Sequence, residues 1–243
     1  MLRTAIAGSA DVDDHGFRIR SREVSRLEGL SDAVFGFAIT LLVVSLEVPN
    51  TYEELMNMMR GFVAFGASFA VLIMIWYEHY KFFRRYGLED LWIIALNSML
   101  LFVVVLYIYP LKFMFSAVIA QLFRLRAGDG PKVPLAWGDA PGLMTLYSVS
   151  IIAVFMIIGL MYLHAYRKRT VLGLDPVEVL LTKSSIRSHA IWIGMALFAI
   201  ALSLIGGPRW VPIAGFSYAL LGPAQAFNGT VASKAARRLR RTG

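Results

Sequence analysis

Asp32, Trp76, His79 and Asn97 carry hydrogen-bonding or ionisable groups inside stretches that are otherwise apolar. A carboxylate and an imidazole in such surroundings are the parts of a proton relay or a cation site. Indole, amide and hydroxyl groups beside them are the parts of a clamp between helices. A carboxylate within a membrane span costs about 2.5 to 3.5 kcal/mol, so Asp32 must face protein or water and have a partner. Ser31 and Arg26 are near it in sequence, Trp76 and His79 share one helix face at i, i+3, and Asn97 lies about two turns into a later segment. Arg26, Ser31, Asp32, Trp76, His79 and Asn97 are therefore expected to form a polar network that locks three helices. A direct ion-binding or proton-relay role for Asp32 and His79 is the open alternative.

Other chemistries lack their residues. The absence of cysteine excludes a disulfide framework, thiolate-bound zinc or iron–sulfur sites, and thiol catalysis. The four histidines, at 15, 79, 164 and 189, show no metal-ligand spacing. No Gly-rich phosphate loop, His/Glu pair at i, i+4 or Ser/His/Asp set in one plausible pocket is present. Neither an enzyme nor a bound metal or cofactor is expected. Ser148 and Ser150 are expected to bond back to their own helix carbonyls. His164 and His189, at the ends of apolar segments, are expected to face solvent or headgroups.

The elements that position these residues follow from hydropathy. With 58% hydrophobic and 16% charged residues over 243 positions and a mean hydropathy of +0.63, the chain has too little polar surface for a soluble domain. A spanning helix needs about 20 mostly apolar residues, and six segments qualify, at roughly 29–48, 61–80, 91–110, 143–165, 188–207 and 209–227. Only the Gly206-Gly207-Pro208-Arg209 turn signal separates the last two. The reading is an all-α membrane protein with a cytoplasmic N-terminal segment at 1–23, a six-helix domain at 24–229 and a basic cytoplasmic tail at 230–243. Residues 1–23 contain no apolar stretch, so the first helix itself is expected to act as the insertion signal. Eighteen of the 24 Lys and Arg fall on the side of the termini and of the second and fourth loops, which places both termini of a multi-pass plasma-membrane protein in the cytoplasm. The basic cluster from Lys234 to Arg241 reads as attraction to anionic membrane lipid, not as a nucleic-acid tail. Residues 124–142 read as a Gly/Pro-rich external loop, and 170–184 as a connector in which Asp175-Pro176 starts a short interfacial helix.

The first helix has distinct faces. At 100° per residue, Phe37, Leu41, Val44 and Val48 fall on one apolar row, and Gly29, Ala33, Gly36 and Thr40 form a stripe of small residues beside it. Ser31 and Asp32 point away from the row, and Val43 falls on the other side of the helix.

Arg26-x-x-x-Leu30-Ser31-Asp32, followed by Ala33-Val34-Phe35, Thr40-Leu41-Leu42-Val43 and Leu46-Glu47-Val48-Pro49, resembles the first-helix signature of the transmembrane protein 175 family. These are potassium-permeable channels of endolysosomes with shorter prokaryotic relatives. The resemblance continues with Ser68-Phe69, Trp76-x-x-His79, Leu96-Asn97 and Pro110, and covers about the first 110 residues.

The resemblance implies a potassium-permeable channel without a Gly-Tyr-Gly filter loop, a motif this chain lacks. One repeat of six spans implies a homotetramer in which four copies of the first helix surround the axis. Phe37, Leu41 and Val44 match the family's pore-constricting positions, and Thr40 matches a threonine linked with cation preference. Leu30 stands where the family usually has Phe, Ala33 where prokaryotic members commonly have Gly, and Phe37 where the innermost constriction is usually Ile. Potassium and other monovalent cations would be the permeant ions, with modest preference for potassium over sodium. Glu47 either concentrates cations at the outer mouth or is an ordinary helix-end carboxylate. Two alternatives remain open from the residues: a proton-coupled carrier using Asp32 and His79, and a membrane scaffold that transports nothing.

Overall fold

The computed structural model describes residues 12–13, 16–21, 23–44, 50–122 and 137–242. Helix α1 (Arg26–Val44) starts at a capping box: Ser25 Oγ accepts from the Glu28 amide at 3.1 Å, and the Glu28 carboxylate accepts from the Ser25 amide at 3.0 Å. Helix α2 (Tyr52–Tyr86) is capped by the Thr51 hydroxyl and stopped by Gly87, whose φ of 57° is the left-handed conformation that favours glycine. Asp90 begins α3 (Leu91–Leu122) by accepting from the amides of Trp92 and Ile93. Helix α4 (Ala140–Arg167) follows a short 3-10 turn at Trp137–Asp139, and α5 (Pro176–Gly206) opens on a second capping box, Asp175 with Glu178. Two further helices, α6 (Val211–Ser217) and α7 (Leu221–Thr242), are joined by the turn Tyr218–Leu220.

Four helices contain stretches long and apolar enough to cross a membrane, and so does the segment Pro176–Arg240, which the turn at Gly207 folds back on itself. Gly207 has a φ of +64°, and a Cβ on Gly206 would run into the Trp210 ring. The return is antiparallel: Gln225 bonds Ser188 and Asn228 bonds Ser184, so moving back along α5 moves forward along α7. The last two expected spans are thus the arms of one hairpin. In lipid, such arms are held by close packing and inter-helix hydrogen bonds, because apolar burial gives little drive between helices there.

The core runs from Phe35, Ala38 and Leu42 of α1 through α2 and α3 to Ile158, Met161 and Tyr162 of α4. Several sequence expectations change in this setting. The connector at 170–184 is no separate interfacial helix, since α5 starts at Pro176 and continues unbroken to Gly206. Lys183 and Arg187 interrupt the apolar run without interrupting the helix. Helix α7 likewise crosses position 230 without a break. Residues 124–136 of the expected external loop lie outside the described residues, 137–139 form the 3-10 turn, and 140–142 already belong to α4. His189 does not face solvent: it is 2% exposed, its ring against Phe155 and Tyr162 of α4. His164 bonds Asp90. Ser150 bonds back to the Tyr147 carbonyl as expected, whereas Ser148 accepts from the Tyr218 hydroxyl at 2.9 Å.

Candidate functional site

Helix α1 turns Glu28, Ser31, Phe35, Ala38 and Leu42 into the protomer. Among the described residues nothing covers its opposite face. Phe37 is 57% and Val44 70% exposed, Thr40, Ala33 and Gly36 are exposed, and Leu41 is half-buried against the core. A Cβ built on Gly29 or Gly36 would meet nothing within 4 Å, so the small stripe is bare. The Thr40 hydroxyl donates to the Gly36 carbonyl at 3.0 Å, which leaves its oxygen lone pairs outward. Val43 is 46% exposed, so the protein-facing side is that of Ala38 and Leu42 and not the side of Val43. Glu47 lies outside the described residues.

The buried side of α1 is anchored by a directional chain of hydrogen bonds. Ser31 Oγ donates to the Leu27 carbonyl at 2.8 Å, and Asn97 Nδ2 donates to Ser31 Oγ at 2.9 Å. Asn97 Oδ1 is left to accept from His79 Nε2 at 2.8 Å, which puts the imidazole proton on Nε2. The His79 ring packs between Phe35 and Phe83, with centroids 5.9 and 4.6 Å away. Asp32 stands apart from this chain. It is exposed and accepts from Trp76 Nε1 at 2.8 Å.

The expected six-residue network is therefore two separate contacts. Ser31 and Asp32 are neighbours about 100° apart on the helix, so one faces inward and the other outward. Arg26 is exposed and, among the described residues, bonds to neither contact. No hydrogen bond joins Asp32 to His79 among the described residues, and the amide between His79 and Ser31 passes no proton.

Sequence reasoning missed a second set of contacts, made by residues 13–20 with the ends of α2 and α5 and by Asp90 with the end of α4. Phe17 is fully buried, its ring edge-on to Tyr86 at 5.3 Å. Glu178, whose side chain is fully buried, accepts from Arg18 at 3.0 Å and Arg20 at 2.7 Å, and Arg85 bonds Asp13 at 2.6 Å. Asp90 receives Lys168 and His164, each at 2.9 Å. Partial burial pushes the Asp90 carboxyl up, but the hydrogen bonds from Lys168 and His164 outweigh it and hold the pKa down at about 2. The Asp175-x-x-Glu178 spacing was the available signal for Glu178. Among the described residues, no group of three or more His, Cys, Asp or Glu is arranged to hold a metal ion.

Comparison with known proteins places this arrangement. The family profile of the endosomal/lysosomal potassium channel TMEM175 matches residues 26–107, the stretch that contains both anchors of α1. A potassium channel of Marivirga tractuosa is 37% identical over 230 residues, which cover 92% of this chain and 93% of that one. The crystal structure of a variant of the potassium channel MtTMEM175, in complex with a nanobody fusion, superposes with a TM-score of 0.78 at 35% identity, covering 92% of this chain and 100% of that chain. A lysosomal potassium-selective channel TMEM175 homologue from Chamaesiphon minutus shares the fold at a TM-score of 0.55 and 20% identity, over 87% of this chain and 99% of that one. Identity sustained over nearly the full length of both chains, together with the matched first three helices, establishes that this protein belongs to the TMEM175 potassium-channel family.

Proposed function

We propose that the chain is the protomer of a homotetrameric, potassium-permeable cation channel whose pore is lined by the outward face of α1. The observation that carries this reading is the two-sidedness of α1: one face is locked to α2 and α3 through Ser31, Asn97 and His79, and the other is apolar, small-residue-rich and uncovered. The bare stripe of Gly29, Ala33 and Gly36 suits close approach of neighbouring copies. Phe37 and Val44 then face the axis, with Leu41 beside them and Thr40 presenting its oxygen. Rings of four apolar side chains resist passage by dewetting, and admit partly hydrated cations when they move apart. Because side-chain rings replace a carbonyl filter, preference for potassium over sodium is modest. Family membership supports a channel over a scaffold, an enzyme or a proton-coupled carrier. The charge asymmetry supports both termini facing the cytoplasm of a prokaryotic plasma membrane.

Reconstituted potassium flux tests this. The wild type should carry potassium down its gradient without an imposed proton gradient. Phe37→Ser should raise the flux by wetting the constriction, and by more than Leu41→Asn, because Phe37 is the more exposed. Flux that requires a proton gradient, or silence from well-folded protein, would remove the channel reading.

A further inference from the structure

The last turns of α4 and the first turns of α5, with Leu239 of α7, line a trough of about 670 Å³. Its floor is aliphatic: Leu163, Val179, Leu180 and Ile186 line it. Its rim is cationic, with Lys183 and Arg187 one helical turn apart on the same face of α5. Neither has a carboxylate partner among the described residues, and the carboxylates nearby are already taken: Glu178 by Arg18 and Arg20, Asp90 by Lys168 and His164. The Lys183 ammonium lies 5.4 Å from the centre of the Tyr166 ring, and Arg169 covers the same ring at 4.8 Å. Helix α4, at 28 residues, is about 42 Å long against a hydrocarbon core of about 30 Å, so its terminal turns reach the headgroup layer. A tyrosine at that level matches the aromatic belt of membrane proteins.

We propose that this trough binds an anionic phospholipid, its phosphate against Lys183 and Arg187 and its glycerol and upper acyl carbons on the aliphatic floor. Two unpaired cations favour a net negative headgroup over a zwitterionic one. The floor favours a lipid over a free phosphate, which would leave it wet. The site lies on the outside of the bundle, away from α1, and does not depend on the pore reading.

Native mass spectrometry of the detergent-purified protein, titrated with phosphatidylglycerol or phosphatidylcholine of identical acyl chains, tests the site. The wild type should retain phosphatidylglycerol in preference. The double variant Lys183→Gln, Arg187→Gln should weaken that retention on the order of fivefold for each charge removed, leaving phosphatidylcholine unchanged. Lys234→Gln with Arg237→Gln, at positions about 140° and 160° around α7 from Leu239, should weaken it less. Val179→Trp, which fills the floor, should weaken retention of both lipids while the protein stays monodisperse. The proposal fails if the trough and C-terminal variants act equally, if phosphatidylcholine binds as well as phosphatidylglycerol, or if Val179→Trp leaves phosphatidylglycerol binding intact.

Discussion

Asn97 is the side chain on which the anchor of α1 depends, since it hydrogen-bonds both His79 and Ser31. Asn97→Ala should orphan a buried donor on His79 and a buried acceptor on Ser31, at about 1–3 kcal/mol for each unsatisfied group. Asp32→Ala should cost less, under about 1 kcal/mol, because Asp32 is exposed and releases only the Trp76 indole. Unfolding midpoints of the two variants in detergent check the order. An Asp32→Ala variant as unstable as Asn97→Ala would mean that the carboxylate, and not the amide, holds the helix. Five of the six expected residues, all but Arg26, make these contacts, and they were legible because a polar group in an apolar run must find a partner. Their wiring was not. Nothing in the spacing of Trp76 and His79 says which of the adjacent Ser31 and Asp32 each one meets; that is set by the rotation of α1 against its neighbours.

Among the elements, starts were more legible than ends. Ser25 with Glu28 and Asp175 with Glu178 are capping patterns readable from spacing, but the end of an apolar run at Lys183 and Arg187 is not the end of a helix. The burial of Phe17 and His189 and the pairing of Arg20 with Glu178 were illegible, because their partners lie far along the chain and a single apolar residue among charges has no periodicity. The junction of α3 with α4 makes a testable case. Asp90 caps α3 and holds Lys168 and His164, with its carboxyl lowered to about 2. A depressed carboxyl contributes stability that is complete above its unfolded value near 4 and is lost as pH falls toward about 2. Asp90→Asn keeps the cap but removes the charge. It should lower the thermal midpoint at pH 7 and flatten the decline that the wild type shows between about pH 4 and pH 2. A wild-type decline that survives unchanged in Asp90→Asn would assign it to other carboxylates.

At the scale of the whole molecule, four membrane-length helices and the Pro176–Arg240 hairpin leave one face of α1 uncovered among the described residues, and the proposed tetramer completes it around a central axis. The number of arms was legible from hydropathy and the Gly206-Gly207 turn, and the row on α1 from its periodicity. Which part of that row turns outward was not, since Leu41 is half-buried and Val43 half-exposed for reasons set by α2 and α3. The chain has no cysteine, so a single introduced thiol reports on one position only. The most direct test of the pore face is therefore block of reconstituted potassium flux by silver ion in single-cysteine variants. Phe37→Cys and Val44→Cys should be blocked, while Ala38→Cys and Leu42→Cys, on the face packed against the protomer, should conduct as before. Block at Ala38→Cys and Leu42→Cys, or conducting Phe37→Cys and Val44→Cys channels that silver does not touch, would contradict the assignment of this face to the pore.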